Sequence, residues 1–188
     1  MDISGDIVRE AYPLFQADGG GAKPTSPLQL NIGEIQVLKA CQLNALWHSK
    51  FPKIAFSSVI RNPFYVCYGA EYDGRIYAVA IWSSPLALKR INRREGLELR
   101  RYAIASDAPR YTASRMLSIM IKKIKSKYPS ITYLLSYQDM EVHKGTIYKA
   151  SGWSIDGETK FSEWDSNKRN RISSQSTVNK IRWIKELY

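Results

Sequence analysis

The chain has 188 residues, of which 44% are hydrophobic and 12% aromatic, so it can bury a core as one compact unit and is too aromatic to be disordered. Lys and Arg number 28 against 17 Asp and Glu, and this net charge of +11 favours a polyanionic partner, nucleic acid first. Two cysteines exclude a disulfide framework and a Cys-rich zinc site, and they fit a reducing cytoplasm. We expect a soluble cytoplasmic protein, because there is neither an apolar run of spanning length nor a secretory signal.

The first half of the chain predicts a helix followed by a hairpin. Apolar residues spaced near the helical period predict the helix over residues 31–50. Residues 64–72 and 75–84 are β-branched and aromatic, and the Asp73-Gly74 pair between them is a strong hairpin signal. We therefore expect two antiparallel strands here.

The second half alternates strands and helices. Residues 97–105 predict a strand with alternation at Leu97, Leu99 and Arg101, and the apolar residues 131–137 predict a buried central strand. The apolar residues of a helix over about 112–127 lie on one face. These two strands therefore end just before the short polar segments that begin after residues 105 and 137. A shorter helix over about 143–151 follows, with Gly152 placed as its C-terminal cap.

The end of the chain predicts a last pair of strands. Residues 153–166, around Asp156-Gly157, predict a hairpin, and the last ten residues predict a strand or a helix. The order of elements predicts an α/β (α+β) single domain with a mixed, mostly antiparallel central sheet flanked by helices. We expect an N-terminal extension over 1–30, a core domain over 31–166 and a basic C-terminal segment over 167–188 that could complete the sheet.

The turn before the helix over 112–127 is a candidate phosphate site. Free N–H groups at a helix start bind phosphate, Thr112 or Ser114 can add a hydroxyl, and Arg110 and Arg115 can add charge. The alternative is an ordinary helix start with Thr112 as the cap, which is far commoner. The chain has no Walker lysine motif and no GxGxxG, which argues against a nucleoside triphosphatase or a Rossmann enzyme.

Titratable side chains follow the strand over 131–137. Asp139, His143 and Tyr148 can serve as general acid or base. The alternative is that Asp139 caps a turn, His143 is exposed and Tyr148 packs in the core. A metal site for Fe or another transition metal at His48, Asp139 and His143 would need these residues to converge. Two histidines in the whole chain give that site little support.

Three segments together resemble the Mom family of bacteriophage DNA-modification proteins, a divergent GNAT-like (acyl-CoA-dependent N-acetyltransferase) group. They are LRRYAIASDAPRYTASRML, LLSYQD followed by HKGTIYKASGW, and Trp47-His48-Ser49, and they span about residues 45–155. The resemblance implies that residues 31–166 form a GNAT-like catalytic domain with acetyl-CoA or a related CoA thioester as donor. It also implies modification of adenine in DNA at N6 to a methylcarbamoyl (acetamido-type) derivative, which protects phage DNA from restriction in the bacterial host cell.

The resemblance implies catalytic residues at three positions. Asp139 matches the Asp of a SYAD-like motif, Tyr148 matches the GNAT tyrosine that protonates the leaving CoA thiolate, and His48 matches the His of a WHYS-like motif. The residues implied for CoA are those of a strand end and of the pyrophosphate loop after it: Arg101, Ala103, Arg110, Thr112, Ala113, Ser114 and Arg115. Whether Arg101 serves CoA or DNA stays open. The chain departs from the family pattern at Ser49, Tyr111 and Gln138, and it lacks the usual glycine-rich loop.

An enzyme that modifies adenine in DNA must reach the exocyclic amine and hold the nucleic acid. The exocyclic amine is paired inside the duplex, so an enzyme needs single strands or base flipping, with an aromatic side chain to stack on the base. The residues expected at DNA are one such aromatic and basic residues from the charge clusters: Trp47, Arg90, Arg93, Arg94, Lys168, Arg169 and Arg171. Two other functions stay open, a conventional GNAT N-acetyltransferase acting on a small-molecule or protein amine and a non-catalytic nucleic-acid-binding module. The oligomeric state, a dimer included, also stays open.

Overall fold

The computed structural model describes residues 22–47, 53–87, 93–141, 143–159 and 179–188. In these parts of the chain, seven strands form one sheet in the order β1-β2-β3-β4-β5-β7-β6. The strands are β1 (Asn31–Glu34), β2 (Tyr65–Tyr72), β3 (Arg75–Ser83), β4 (Gly96–Ile104), β5 (Tyr133–Asp139), β6 (Ser154–Thr159) and β7 (Lys180–Glu186). The helices are α1 (Val37–Trp47), α2 (Phe56–Ile60), α3 (Thr112–Lys127) and α4 (Thr146–Ala150). Only β4 and β5 pair in parallel, so the predicted mixed, mostly antiparallel sheet with flanking helices is confirmed. None of the described helices is both long and apolar enough to span a membrane.

The hairpin between β2 and β3 has its turn where the sequence predicts it. Tyr72 pairs with Arg75, and the two residues between them have positive φ angles of 50° at Asp73 and 75° at Gly74. A two-residue turn that follows the right-handed twist of the strands needs this left-handed backbone, which Asp and Gly adopt most readily.

The helix predicted over residues 31–50 is shorter than expected, because its first residues form a strand. Residues Asn31–Glu34 pair with the outer edge of β2, with Ile32 opposite Ala70. The helix begins only at Val37. Apolar spacing alone could not separate the two, since burial of Ile32 against the sheet satisfies the same pattern.

The final hairpin predicted around Asp156-Gly157 is wrong. β6 runs through both residues and pairs along its length with β7, and Gly157 lies at a register shift with a φ of 151°. Arg182 Nε donates to Asp156 Oδ2 at 2.6 Å across this pair of strands. The Asp-Gly pair therefore marks a bulge inside a strand, for which β7 supplies the partner.

The sheet separates two hydrophobic clusters, and its two sides are named here after the helices that cover them. On the α3 face, the apolar side of α3 packs against strand residues such as Trp82, Leu99 and Leu134. On the α1 face, α1 and α2 pack against Cys67 and Ile81. Each fully buried large side chain contributes about 1.5–3 kcal/mol, so both layers hold the sheet in place.

Candidate active site

A cavity of about 510 Å³ opens between β4 and β5. The two parallel strands pair over four positions, from Gly96 with Tyr133 to Leu99 with Ser136, and both then continue without pairing to each other. Since parallel strands end at the same edge, the unpaired ends form the walls of one opening. The cavity is lined by residues of both strands and of the helices beside them: Trp47, Leu99, Arg100, Arg101, Tyr102, Ala103, Ile104, Ala113, Ser136, Tyr137, Gln138, Asp139, His143, Lys144, Gly145, Thr146, Ile147 and Tyr148.

A bulge in β4 accompanies this separation. Trp82 of β3 pairs with Leu99 and the next residue, Ile81, pairs with Arg101, so Arg100 is an extra residue in β4. A bulge bends its strand and increases the local twist. Here it lies directly after the last residue of β4 that pairs with β5.

The bulge also reverses a sequence prediction. The alternation at Leu97, Leu99 and Arg101 would place all three side chains on one face of the sheet. Leu99 does pack in the α3-face cluster, but Arg101 pairs with Ile81, which belongs to the cluster on the α1 face. The extra residue therefore directs Arg101 to the opposite side.

The cavity is lined by residues from both faces of the sheet. On the α3 face, the Tyr102 hydroxyl donates to the Ala113 carbonyl at 2.6 Å. On the α1 face, Arg100 Nη1 donates to the Ser58 carbonyl of α2 at 3.2 Å. Ala113 of α3 and Trp47 of α1 line the same cavity, so groups on both faces reach it.

Tyr148 lies on the α3 side of the cavity. Its hydroxyl is 2.8 Å from the Ser136 hydroxyl, and its ring stacks on Trp183 with centroids 5.3 Å apart. Burial raises the pKa of Tyr148, and the hydrogen bond with Ser136 partly offsets that rise. The phenol is therefore protonated at neutral pH and held in one orientation. It is both a core residue and a cavity residue, so the two interpretations of the sequence are compatible.

Asp139 lies on the α1 side of the cavity. Ser136 shares a face with Tyr148, and alternation along β5 places Tyr137 and Asp139 on the α1 face. The Asp139 carboxylate is buried and accepts the Glu141 N–H at 3.0 Å, so it does cap a turn, as the alternative interpretation expected. It also lines the cavity.

Gln138 connects the end of β5 to the segment that leads into α4. Its side-chain oxygen accepts the Trp183 indole N–H at 2.7 Å, and its side-chain nitrogen donates to the His143 carbonyl. Gly145 packs beside it with a φ of +71° and leaves no room for a Cβ, which would lie 2.5 Å from Gln138 Oε1. Gln138 thus holds the cavity wall between β5 and Tyr148. The sequence signal was present, because Gln138 stands where the family pattern has a small residue.

The start of α3 differs from the predicted cap. The N-cap is Tyr111, with a φ of 65° and no side-chain hydrogen bond, so the interpretation of Thr112 as the cap is wrong. The Thr112 hydroxyl donates to the Pro109 carbonyl at 2.7 Å, and the Ser114 hydroxyl donates to the Tyr111 carbonyl at 3.2 Å. The N-cap side chain therefore caps none of the first-turn N–H groups, and among the described residues those of Ala113 and Ser114 suit an anionic ligand.

Arg110, before α3, and Arg115, in its first turn, do not line the cavity. Arg110 is exposed, with its guanidinium 5.5 Å from the centre of the Tyr111 ring. Arg115 Nη1 donates to the Leu30 carbonyl at 3.1 Å. Their assignment to CoA stays a prediction.

The structure brings seven of the predicted site residues to one cavity: Trp47, Arg101, Ala103, Ala113, Asp139, His143 and Tyr148. Arg93 begins the short turn before β4, where Arg94 is exposed. The remaining predictions lie outside the described residues: His48, Arg90, Lys168, Arg169 and Arg171. Sequence reasoning missed the cavity residues Arg100, Ser136 and Gln138 as members of the site.

The structure gives no support to a metal site among the residues it describes. No group of three or more His, Cys, Asp or Glu side chains lies close enough there to hold an ion. His143 is exposed, and its backbone N–H donates to the Asp139 carbonyl at 3.1 Å. Because His48 lies outside the described residues, the metal site remains an untested alternative.

Solved structures with the same architecture are GNAT acetyltransferases. The ribosomal-protein-S18-alanine N-acetyltransferase from Escherichia coli superposes with a TM-score of 0.60 at 13% identity, covering 84% of this chain and 94% of that one. The Bacillus subtilis acetyltransferase in complex with CoA gives 0.58 at 15% identity, covering 85% and 99%. A GNAT family acetyltransferase from Elizabethkingia anophelis with acetyl-CoA bound also gives 0.58, at 16% identity, covering 85% and 99%.

These similarities define a protein with the GNAT acetyltransferase fold. The model of the Mom protein family matches residues 30–187, and the chain belongs to that family. No curated protein matches the chain significantly.

Proposed function

We propose that the protein transfers the acyl group of a CoA thioester to N6 of adenine in DNA, in the cytoplasm of the bacterial host. Transfer from acetyl-CoA gives N6-acetyladenine. The methylcarbamoyl (acetamido-type) adenine implied by the family resemblance contains a further nitrogen, so it requires a donor whose acyl group already carries that nitrogen. The modified base protects phage DNA from restriction. One observation carries the proposal: a single cavity joins a buried carboxylate on the α1 face to a buried phenol on the α3 face. Transfer between two substrates needs such a pair, one group for each proton.

The α3 face is the side of the thioester. The first turn of α3 has no side-chain cap, and Ala113 of this turn lines the cavity. Uncapped N–H groups and the positive end of the helix dipole would hold the CoA pyrophosphate. CoA or acetyl-CoA is bound in two GNAT proteins of similar fold, which supports this side of the proposal.

The α1 face is the side of the nucleic acid. Trp47 at the end of α1 supplies an aromatic surface beside the cavity, as an extruded base requires. The net charge of +11 favours a polyanion and disfavours the cationic amines that conventional acetyltransferases accept. Asp139 lies on this same face, where the amine of the base would enter.

The reaction follows from the two buried groups. As N6 bonds to the thioester carbonyl carbon, Asp139 accepts the proton that the amine loses. As the carbon–sulfur bond breaks, Tyr148 gives its proton to the departing thiolate, and solvent later restores both groups. Backbone N–H groups of β4 beyond Leu99, its last residue paired with β5, can stabilise the developing charge on the carbonyl oxygen. The bound thioester supplies the activated carbonyl and the leaving group.

Release of the CoA thiol tests the proposal. Purified protein with acetyl-CoA should release free thiol when an adenine-containing oligodeoxynucleotide is added, and Asp139→Asn should not. Thiol release with polyamines or peptides but not with DNA would support the conventional acetyltransferase instead. Salt-sensitive DNA binding without product, unaffected by Asp139→Asn, would support a non-catalytic binding module.

A further inference from the structure

We infer that Arg100, the bulge residue of β4, binds a phosphate of the DNA strand that carries the acceptor base. The inference rests on the proposed function and deepens it, because it names a phosphate-bearing acceptor on the α1 face of the cavity. Arg100 belongs to one of the basic clusters of the sequence, but it is not among the residues that the sequence or the family pattern selects for the site.

The bulge determines which face the side chain occupies. Arg100 Nη1 donates to the carbonyl of Ser58 in α2, and the guanidinium interacts electrostatically with the Glu98 carboxylate of β4 and, more weakly, with Cys41 in α1. Ser58 and Cys41 belong to helices of the α1 face. The side chain lines the cavity from that side, together with Trp47.

The charge of Arg100 is only partly balanced among the described residues. The side chain is half-buried, and the buried Glu98 carboxylate nearby favours its charged form, but the guanidinium forms no direct ion pair with a carboxylate in the part of the chain that the structure describes. Its Nε is buried without a hydrogen-bond partner. A guanidinium has five N–H donors in a planar fork, so one bond to the Ser58 carbonyl leaves most of them unused. A half-buried cation of this kind is stabilised when an anion enters the cavity.

The anion is better supplied by the acceptor than by CoA. The uncapped first turn of α3 lies on the opposite face, where Tyr102 contacts the Ala113 carbonyl. A CoA pyrophosphate at that helix start would be separated from Arg100 by the sheet. A phosphate beside the acceptor base would enter on the same face as Trp47 and Asp139. Two parallel N–H···O bonds from one guanidinium match the geometry of a phosphate.

The test measures the binding of DNA and the binding of CoA in separate experiments. The probe is a fluorescein-labelled single-stranded oligodeoxynucleotide containing adenine, titrated at several salt concentrations. Arg100→Gln should weaken its binding about tenfold and reduce the slope of log affinity against log salt by about 0.7, as expected for one lost contact to a single-strand phosphate. Binding of CoA, measured by calorimetry, should not change.

Two more variants serve as controls. Lys123→Gln removes one charge from the exposed surface of α3, away from the cavity lining, and should leave affinity and salt slope close to those of the wild type. Arg100→Lys keeps the charge but loses the fork, so it should keep the salt slope while binding the probe severalfold more weakly. If Arg100→Gln does not fold, the Arg100→Lys titration decides.

The binding results for the Arg100 variants decide whether the inference and the proposed function stand or fail. Wild-type affinity and salt slope in Arg100→Gln, or unchanged affinity in Arg100→Lys, would overturn the inference. Loss of CoA binding with unchanged DNA binding would assign Arg100 to CoA and overturn it as well. If the wild type modifies adenine while these variants bind DNA normally, the inference fails and the proposed function stands. If DNA binding depends on Arg100 but no base is modified, the proposed function fails and the phosphate contact stands.

Discussion

The hydroxyl oxygens of Tyr148 and Ser136 lie 2.8 Å apart, beside the point where β4 and β5 separate. Ser136 is the last residue of β5 that pairs with β4, so the geometry of the opening and the orientation of the phenol depend on the same residue. The Trp183 ring stacks on the Tyr148 ring and so restrains the phenol as well. The proton donor of the proposed reaction is therefore positioned before any substrate binds.

Tyr148→Phe should lower kcat at least about a hundredfold, because the thiolate would leave without a positioned acid. KM for DNA should change little, since the ring and its stacking remain. Steady-state thiol release measures both parameters. Tyr65→Phe, at an exposed tyrosine outside the cavity lining, is the matched control and should behave like the wild type. A kcat near the wild-type value in Tyr148→Phe would show that the phenol is not the acid.

Ser136→Ala should change the pH dependence as well as the rate. The hydrogen bond from Ser136 lowers the pKa of Tyr148, so removing it raises that pKa further. Activity requires the protonated phenol, and the alkaline limb of the profile of kcat against pH should move to higher pH. The rate at neutral pH should fall about tenfold through lost orientation. Ser136→Thr keeps the hydroxyl, so its alkaline limb should lie at the same pH as that of the wild type. An alkaline limb that does not move in Ser136→Ala would contradict the assignment of Tyr148 as the acid.

Asp139→Asn should abolish transfer while leaving DNA affinity nearly unchanged. The amide keeps the size of the side chain and can still accept the Glu141 N–H, but it cannot take the proton of the amine. Nucleoside analysis of treated DNA and an oligonucleotide binding assay measure the two effects. Modification at the wild-type level would remove Asp139 from the mechanism.

Gly145→Ala should destabilise the wall of the cavity. The φ of +71° costs about 1–2 kcal/mol for a residue with a side chain. The new Cβ would lie 2.5 Å from Gln138 Oε1 and 2.8 Å from Trp183, which adds about 1–3 kcal/mol. Denaturant unfolding measures the sum. Gly74→Ala has a similar φ of +75° but open space around its Cβ, so it isolates the backbone cost. If Gly145→Ala and Gly74→Ala lose the same free energy of unfolding, the crowding around the new Cβ at position 145 costs nothing, which would contradict the prediction.

Stability should fall at high pH because buried acids must stay protonated. Burial raises the pKa of Cys67 from 9.0 to about 12. The stabilisation from this thiol is complete below pH 9.0 and is lost as the pH rises through the value of about 12. Burial raises the pKa of Tyr68 in the same direction. Urea unfolding between about pH 8 and pH 11 should show the decline, and Cys67→Ala should show a shallower one. A decline of the same slope in both proteins would contradict the contribution of Cys67.

Local patterns in the sequence predict local structure well. The turn at Asp73-Gly74 depends on two neighbouring residues, and the helix over 112–127 depends on its own apolar face. The paired strand that replaces the start of the first predicted helix depends on β2, which is distant along the chain. Insertion of β7 between β5 and β6 is likewise a long-range pairing that no local signal reveals.

The residues that line the cavity are predictable from the sequence only in part, and the face of the sheet that each one occupies is not predictable. Asp139, Tyr148 and Arg101 could be selected from their motifs. The bulge at Arg100 has no sequence signal, yet it places Arg101 opposite Ile81 and so on the α1 face. The face that each side chain occupies follows from strand register, which is fixed by packing between elements rather than by residue type.

Mass spectrometry of nucleosides from plasmid DNA tests the central claim most directly. DNA from cells that produce the protein should contain a deoxyadenosine whose mass has increased by one acyl substituent at N6. The matched cells that produce Asp139→Asn should contain only unmodified deoxyadenosine. An unmodified spectrum from cells with abundant, folded wild-type protein would contradict adenine in DNA as the substrate.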